Sequence, residues 1–346
     1  MIINDAARTA ALLSGDADII DQISTSDLER ARHDSRFHVA EATSLRVMCI
    51  TLDGTREQPV PLLAAANGEA LDHNPLADPR MRQALAMAID RRQLVECVMK
   101  GAALATTQFM PSDTYSYIPN RPVPAADPAA ARRLLAEAGY PRGFQLTLIG
   151  WNDRYMNDSR VVQAVGQMWT RIGARTTVEA QPYTTFIGRA TRREAPAALL
   201  TWDNSTGEVS VLLNSVLRAP NRARGNGVAN RLLYSNPAMD ALIAAAEVEM
   251  DDAKREDLLH RASTIALDGR ILVPLYLQNA LWAMRSGITY EARMDERNDP
   301  MAVGPLHADA SARLQAVEDE IEIGVGDLRR RHALLRLVPA MHPVQG

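Results

Sequence analysis

With 346 residues, of which 47% are hydrophobic and 23% charged, and a formal net charge of −4, the chain reads as a globular protein long enough for two domains and a sizeable core. The near-neutral balance leaves no electrostatic footprint for nucleic acid, and no basic stripe alternates with aromatics, so no nucleic-acid partner is expected. No run approaches the roughly 20 apolar residues that span a bilayer.

Met1-Ile2-Ile3-Asn4-Asp5 has neither a basic region nor an apolar stretch followed by a cleavage site, so no signal peptide is expected in the chain as written. Asp5 to Ser14 reads as a short amphipathic helix with Ala6, Ala10 and Leu13 inward and Gly15 as its stop. A strand over Asp16 to Ile20, a helical turn at Asp27 and a strand at Arg36 to Val39 follow. Ser44 to Leu52 is nearly continuous apolar sequence with β-branched members, the pattern of a buried central strand. Gly54 to Asn74 has no clean period and reads as a connecting loop.

Asp78-Pro79 is a helix start: the aspartate accepts from free N–H groups and the proline loses nothing by lacking its own. Met81, Ala84, Leu85, Ala88 and Ile89 form its apolar stripe, and Arg80 and Arg82 read as solvated or capping charges. Asp90 opens a second helix with Leu94, Val95, Val98 and Met99 inward. Asp127-Pro128 repeats the same start, ending at Gly139. Strands at 144–149, 176–179 and 198–201 then alternate with helices at 158–172 and 184–192, the order of an α/β domain. From Pro237 two helices follow, then a strand at 271–277 interrupted by Pro274, with 280–284 as its continuation. Ala308 to Val338 is charge-rich with helical period and reads as a C-terminal amphipathic extension or a marginal appendage.

Catalytic and cofactor signals are absent. No GxSxG, SxxK, HExxH, GxGxxG or P-loop pattern occurs, and His33, His38, His73, His260, His307, His332 and His342 show no metal-ligand spacing in a convincing context. No enzyme activity, cofactor or metal is expected. Cys49 and Cys97 lie in apolar surroundings; two buried free thiols are the first reading and one disulfide the second.

Two loops follow strands of the α/β domain and concentrate binding chemistry where open sheets hold ligands. The first carries Trp151, Asn152, Arg154, Tyr155 and Asn157; the second carries Trp202, Asp203, Ser205, Gly207 and Glu208. Arg154 suits a carboxylate, Asp203 or Glu208 an ammonium, and Trp151, Trp202 and Tyr155 suit apolar walls. The alternatives are a cleft for a zwitterion and two satisfied polar turns in which Asp158, Ser205 or Glu208 cap helices.

The run NPLADPRMRQALAMAIDRRQL (Asn74 to Leu94) resembles the signature of the solute-binding proteins of peptide-type ABC importers. ARTAALLSGDAD at Ala7 to Asp18, DPAAARRLLAEAGYPRG at Asp127 to Gly143, GWNDRYMND at Gly150 to Asp158 and YSNPAMD at Tyr234 to Asp240 are similar to further family segments, in family order. The resemblance runs from about Asp5 to about Pro305. It implies an α/β, periplasmic-binding-protein-like (Venus-flytrap) class II fold and a monomer in the periplasm. It also implies a small peptide or peptide-like solute (dipeptide, oligopeptide, glutathione or nickel chelate) as ligand, and the ABC permease membrane subunits as partners.

By that likeness residues 1–50 are a remnant of the first lobe, 51–272 the nearly complete ligand-binding second lobe, 273–305 the return segment and 306–346 a helical extension. The aspartate that holds the amine in many peptide receptors falls at Ser205, so Asp203 or Glu208 would substitute. A chain holding only part of its first lobe is expected to bind ligand weakly or not at all. The rival expectation is a truncated, non-transporting protein-interaction module in the cytoplasm.

Overall fold

The computed structural model describes residue 2 and residues 5–305; the extension expected over Ala308 to Val338 lies outside the described residues. The chain opens with helix α1 (Asp5–Ser14), strand β1 (Ile19–Asp21) and helix α2 (Thr25–His33). Strand β2 (Phe37–Leu52) runs unbroken for 16 residues. Its alternation accounts for that length: Met48, Ile50 and Leu52 enter one hydrophobic core, while Leu45, Val47 and Cys49 enter another on the opposite face.

Within 54–74 a short strand β3 (Leu63–Ala65) breaks the expected loop, pairing with a later strand. Helix α3 (Pro79–Met87) begins as its residues dictate: the Asp78 carboxylate accepts from the Arg80 N–H and Pro79 fills the first turn. Asp90 likewise caps α4 (Arg91–Gln93) by accepting from the Gln93 N–H. The helix then widens into a π-turn over Leu94–Val98, with the Met99 N–H bonded to the Leu94 carbonyl.

That widening corrects the reading of the thiols. In a turn closed five residues apart, Leu94 and Met99 take the buried places and Cys97 faces solvent. Cys49 is fully buried, which pushes its thiol well above the usual range, and both cysteines are free, so no disulfide forms. A maleimide probe is therefore expected to label Cys97 in the native protein and Cys49 only after unfolding; labelling of both at equal rates would contradict this placement. Arg82 is a second correction. It is buried rather than solvated, donating from Nε to the Gly269 carbonyl and from Nη1 to the Leu76 and Ala77 carbonyls.

Strand β4 (Ala103–Ala105), helix α5 (Pro128–Glu137), strand β5 (Phe144–Trp151), helix α6 (Asp158–Arg171), strand β6 (Ala174–Gln181), helix α7 (Tyr183–Thr191) and strand β7 (Ala197–Asp203) continue the alternation. A short α8 (Ser210–Leu212) leads through a second π-turn towards the paired helices α9 (Pro237–Val248) and α10 (Asp252–Gly269). Strand β8 (Leu272–Arg285) returns along β2, and a small hairpin of β9 (Ile288–Thr289) and β10 (Gly304–Pro305) follows.

All but β9 and β10 join one eight-stranded sheet, with β1, β8, β2, β7, β5 and β3 in order, β4 beside β8 and β6 beside β5. Residues of α3, α5, α6 and α7 pack on one face, and residues of α8, α9 and α10 on the other. β2 and β8 are antiparallel over nearly their whole length, from Phe37 opposite Arg285 to Thr51 opposite Leu272. The pairing slips twice, between Thr43 and Val47 and between Met48 and Cys49. The second slip is where Pro274, which has no N–H to give the ladder, lies opposite Cys49. The buried Arg91 makes use of the same place, its Nε donating to the Pro274 carbonyl at 2.8 Å. The strand expected to break at Pro274 thus continues through it.

Candidate functional site

β5 and β7 pair in parallel, Leu148 with Ala197 and Ile149 with Ala198, so the loops that follow them leave the same end of the sheet. β2 runs antiparallel to β7 and sets Arg46 opposite Asp203 at that end. The carboxyl ends of parallel strands are where open α/β sheets characteristically hold ligands.

The first loop is shaped by Asp158, at the start of α6. One of its oxygens accepts from the backbone N–H groups of Arg154 and Tyr155, at 3.0 and 3.1 Å, and the other from that of Ser159 at 2.8 Å. Burial pushes this carboxyl above the usual range despite the three donors. Asn157 takes a left-handed backbone at φ +54°, and its side-chain amide donates to the Thr25 hydroxyl and the Val98 carbonyl. It therefore ties the loop to α2 and the π-turn. Asn152 is exposed and reaches the Ala180 carbonyl at 3.4 Å.

Trp151 is 2% exposed, so it forms the floor below this loop rather than a wall. Its ring meets Phe186 edge-on at 4.9 Å, with Tyr183 at 5.8 Å and Tyr155 at 6.3 Å. Arg154 lies over the Tyr183 ring at 3.9 Å and within 5.4 Å of Tyr155. Its guanidinium makes no salt bridge among the described residues.

In the second loop the two candidate acids separate. Glu208 is committed: Arg255 donates to it at 2.6 Å and the Ser210 hydroxyl binds it as well. Asp203 has one oxygen 3.6 Å from Arg46 and the other buried without a hydrogen-bond partner among the described residues. Desolvation raises its pKa, the nearby Glu296 and Asp295 raise it further, and Arg46 opposes them. Trp202 packs against the second core, Gly207 turns the chain at φ +79°, and Ser205 is exposed at the turn.

Three neighbours of these loops were outside the sequence reading. Arg46 is the one charged residue in the apolar run Ser44 to Leu52, a signal that could have marked it. It donates to the Tyr155 hydroxyl at 2.9 Å and lies over that ring at 4.8 Å. Glu296 holds its Nε through both oxygens, at 2.8 and 3.0 Å. Tyr183 at the start of α7 completes the aromatic group. Buried polar atoms that lack a partner among the described residues include Trp151 Nε1, Gln181 Nε2, Trp202 Nε1, Asp203 Oδ1 and Asn204 Oδ1. No group of three metal-ligating side chains occurs among the described residues.

The family model of the bacterial extracellular solute-binding proteins, family 5, middle region, matches residues 1–223. The chain belongs to this family. As a family-5 protein it resembles heme-binding protein A of Haemophilus influenzae, with 25% identity over 79% of this chain and 47% of that protein. It is also similar to the glutathione-binding protein GsiB of Salmonella paratyphi A, with 30% identity over 62% of this chain and 42% of that protein. The chain spans about half the length of the curated relatives it matches. Among solved structures, the periplasmic binding protein DppA of Helicobacter pylori, in complex with the peptide STSA, superposes with a TM-score of 0.72 at 19% identity, covering 88% of this chain and 56% of that one. A dipeptide-binding protein of Pseudoalteromonas in complex with Met-Leu gives 0.71 at 20% identity, covering 88% of this chain and 57% of the other. These likenesses establish the periplasmic-binding-protein α/β fold, and the relatives are binding proteins rather than enzymes.

Proposed function

We propose that this family-5 protein captures a small peptide or peptide-like zwitterion at the carboxyl ends of β5 and β7 and delivers it to the membrane permease of an ABC importer, acting outside the cytoplasm as a monomer. Residues 51–272 would form the ligand-binding lobe, with 1–50 and 273–305 belonging to the opposing lobe and β2 and β8 linking the two. Capture needs only a closed state that contacts the solute better than the open one does, and no bond is made or broken.

This reading is supported by Asp203, whose Oδ1 is buried without a hydrogen-bond partner among the described residues, and by Arg154, which makes no salt bridge among them and borders the same Tyr155 ring as Arg46, the neighbour of Asp203. Asp203 would accept the solute's ammonium, Arg154 would pair with its carboxylate, and Tyr155 and Tyr183 would border its side chains, while Trp202, on the opposite face of β7, packs in the second core. The peptide- and glutathione-binding names of relatives support the same solute class.

Titration with alanyl-alanine, followed by tryptophan fluorescence and NMR shifts, is the test. Saturable but weak binding, with a dissociation constant of about 1 mM, is expected, since the chain holds only part of the opposing lobe. Asp203→Asn should weaken it at least about tenfold, because a charge-assisted hydrogen bond contributes roughly 1.5–3 kcal/mol. No saturable response up to about 20 mM, or undiminished binding by Asp203→Asn, would refute the reading.

A further inference from the structure

Arg46 and Arg154 both border the ring of Tyr155, at 4.8 and 5.4 Å from its centroid. Left to themselves, two guanidiniums at one ring would make an anion site. They are not equivalent, because only Arg46 is held by Glu296. Arg46 and Glu296 are each 14% exposed at the side chain, so the pair is largely removed from the screening of bulk water.

Glu296 is presented by a surface segment that is itself tied down. The Leu45 N–H donates to the Met294 carbonyl at 2.9 Å, the Trp282 indole to the Asn298 side chain at 2.7 Å, and the Tyr290 hydroxyl to the Arg297 carbonyl at 2.9 Å. At Glu296 the backbone turns left-handed, φ +56°, a conformation that costs a non-glycine residue energy and is kept where the surroundings enforce it. The turn delivers the carboxylate to Arg46 rather than to solvent.

We propose that Glu296 determines the charge class of the solute: by holding Arg46 it keeps that guanidinium from a ligand carboxylate and leaves Asp203 only a 3.6 Å contact with it, so that the site offers Arg154 to a carboxylate and Asp203 to an ammonium and selects a zwitterion over a simple anion. The inference rests on the location of the ligand site given above. Asp203 supplies a second reason for the expected effect. It is already 3.6 Å from Arg46, and without Glu296 it becomes the remaining carboxylate for that guanidinium. Loss of the Glu296 charge thus frees a cation for a ligand carboxylate and withdraws the acceptor for a ligand ammonium.

The probes are alanyl-alanine, a zwitterion, and N-acetyl-alanyl-alanine, which keeps the carboxylate but cannot carry the ammonium. The wild-type chain is expected to bind the zwitterion at least tenfold more tightly. Glu296→Gln, which keeps shape and removes charge, should lower that ratio at least tenfold, whereas Glu296→Asp should retain most of it. Adding Arg46→Met to Glu296→Gln should restore the preference for the zwitterion, since the extra cation is gone and Asp203 is free again. Binding of both peptides with the same ratio in wild type and Glu296→Gln would overturn the role of Glu296 while leaving the site in place. Failure of both peptides to bind any of these chains would overturn the site and this role together.

Discussion

Trp169→Ala is expected to lower the free energy of unfolding by about 4 kcal/mol, read as a fall in the urea midpoint at an unchanged slope. Trp169 lies on α6 with no exposed surface, in the core that also contains Met81, Leu85, Leu135 and Phe144. Truncating a buried aromatic removes its transfer free energy and leaves a cavity, which together cost about 3–5 kcal/mol. The indole adds a polar term: its N–H donates to the Leu85 carbonyl at 2.9 Å, and alanine leaves that carbonyl without this donor. Because domains are stable by only about 5–15 kcal/mol, a loss of this size also lowers the yield of folded protein. A midpoint shift equivalent to less than about 1.5 kcal/mol would mean that α3 and α6 collapse onto the space left by the indole.

Asp158→Ala is expected to cost about 3 kcal/mol and, separately, to abolish binding of alanyl-alanine. The carboxylate is 3% exposed and accepts from three backbone N–H groups. Each lost bond is worth about 1 kcal/mol net, and the donors that stay buried add the cost of desolvation without a partner. Two of those donors belong to Arg154 and Tyr155, the loop residues assigned to the solute's carboxylate and side chains. Denaturant titration measures the first effect and fluorescence titration of the folded fraction the second. A variant as stable as wild type, or one that still binds the dipeptide, would show that the loop holds its shape without this anchor.

Much of the scaffold was legible because its signals are local. Asp78, Asp90, Asp127, Asn236 and Asp251 each cap the helix they precede, with a side-chain oxygen accepting from an N–H two or three residues on. Two strands read equally well: Ser44 to Leu52 is nearly continuous apolar sequence because both faces of β2 are buried, and Phe144 to Ile149 alternates with the period of a strand. The two loops could be found for the same reason: strand, polar aromatic turn and helix cap follow one another within a few residues.

Most of the signals that failed depended on groups far apart in the chain. Arg46 and Glu296 are separated by 250 positions, Arg82 and Gly269 by 187, and Arg91 and Pro274 by 183. A guanidinium reads as solvated until the fold brings carbonyls or a carboxylate to it. Trp151 reads as a loop aromatic until α7 supplies Tyr183 and Phe186 to bury it. Cys97 reads as a core thiol as long as the turn is counted at 3.6 residues, and one π-turn places it outside.

By itself, then, the sequence determined the helix starts, the alternation of strands and helices, the family and the two loops that meet at one end of the sheet. These follow from hydrogen-bonding and burial preferences expressed over a few neighbouring residues. The tertiary structure alone decided which charges in those loops remain available. Glu208 is taken by Arg255 and Arg46 by Glu296, while Asp203 and Arg154 are left without an equivalent partner among the described residues. Ion pairing depends on distances of a few ångströms between segments that only the folded sheet brings together, and the charge that a binding site offers is the remainder after that pairing.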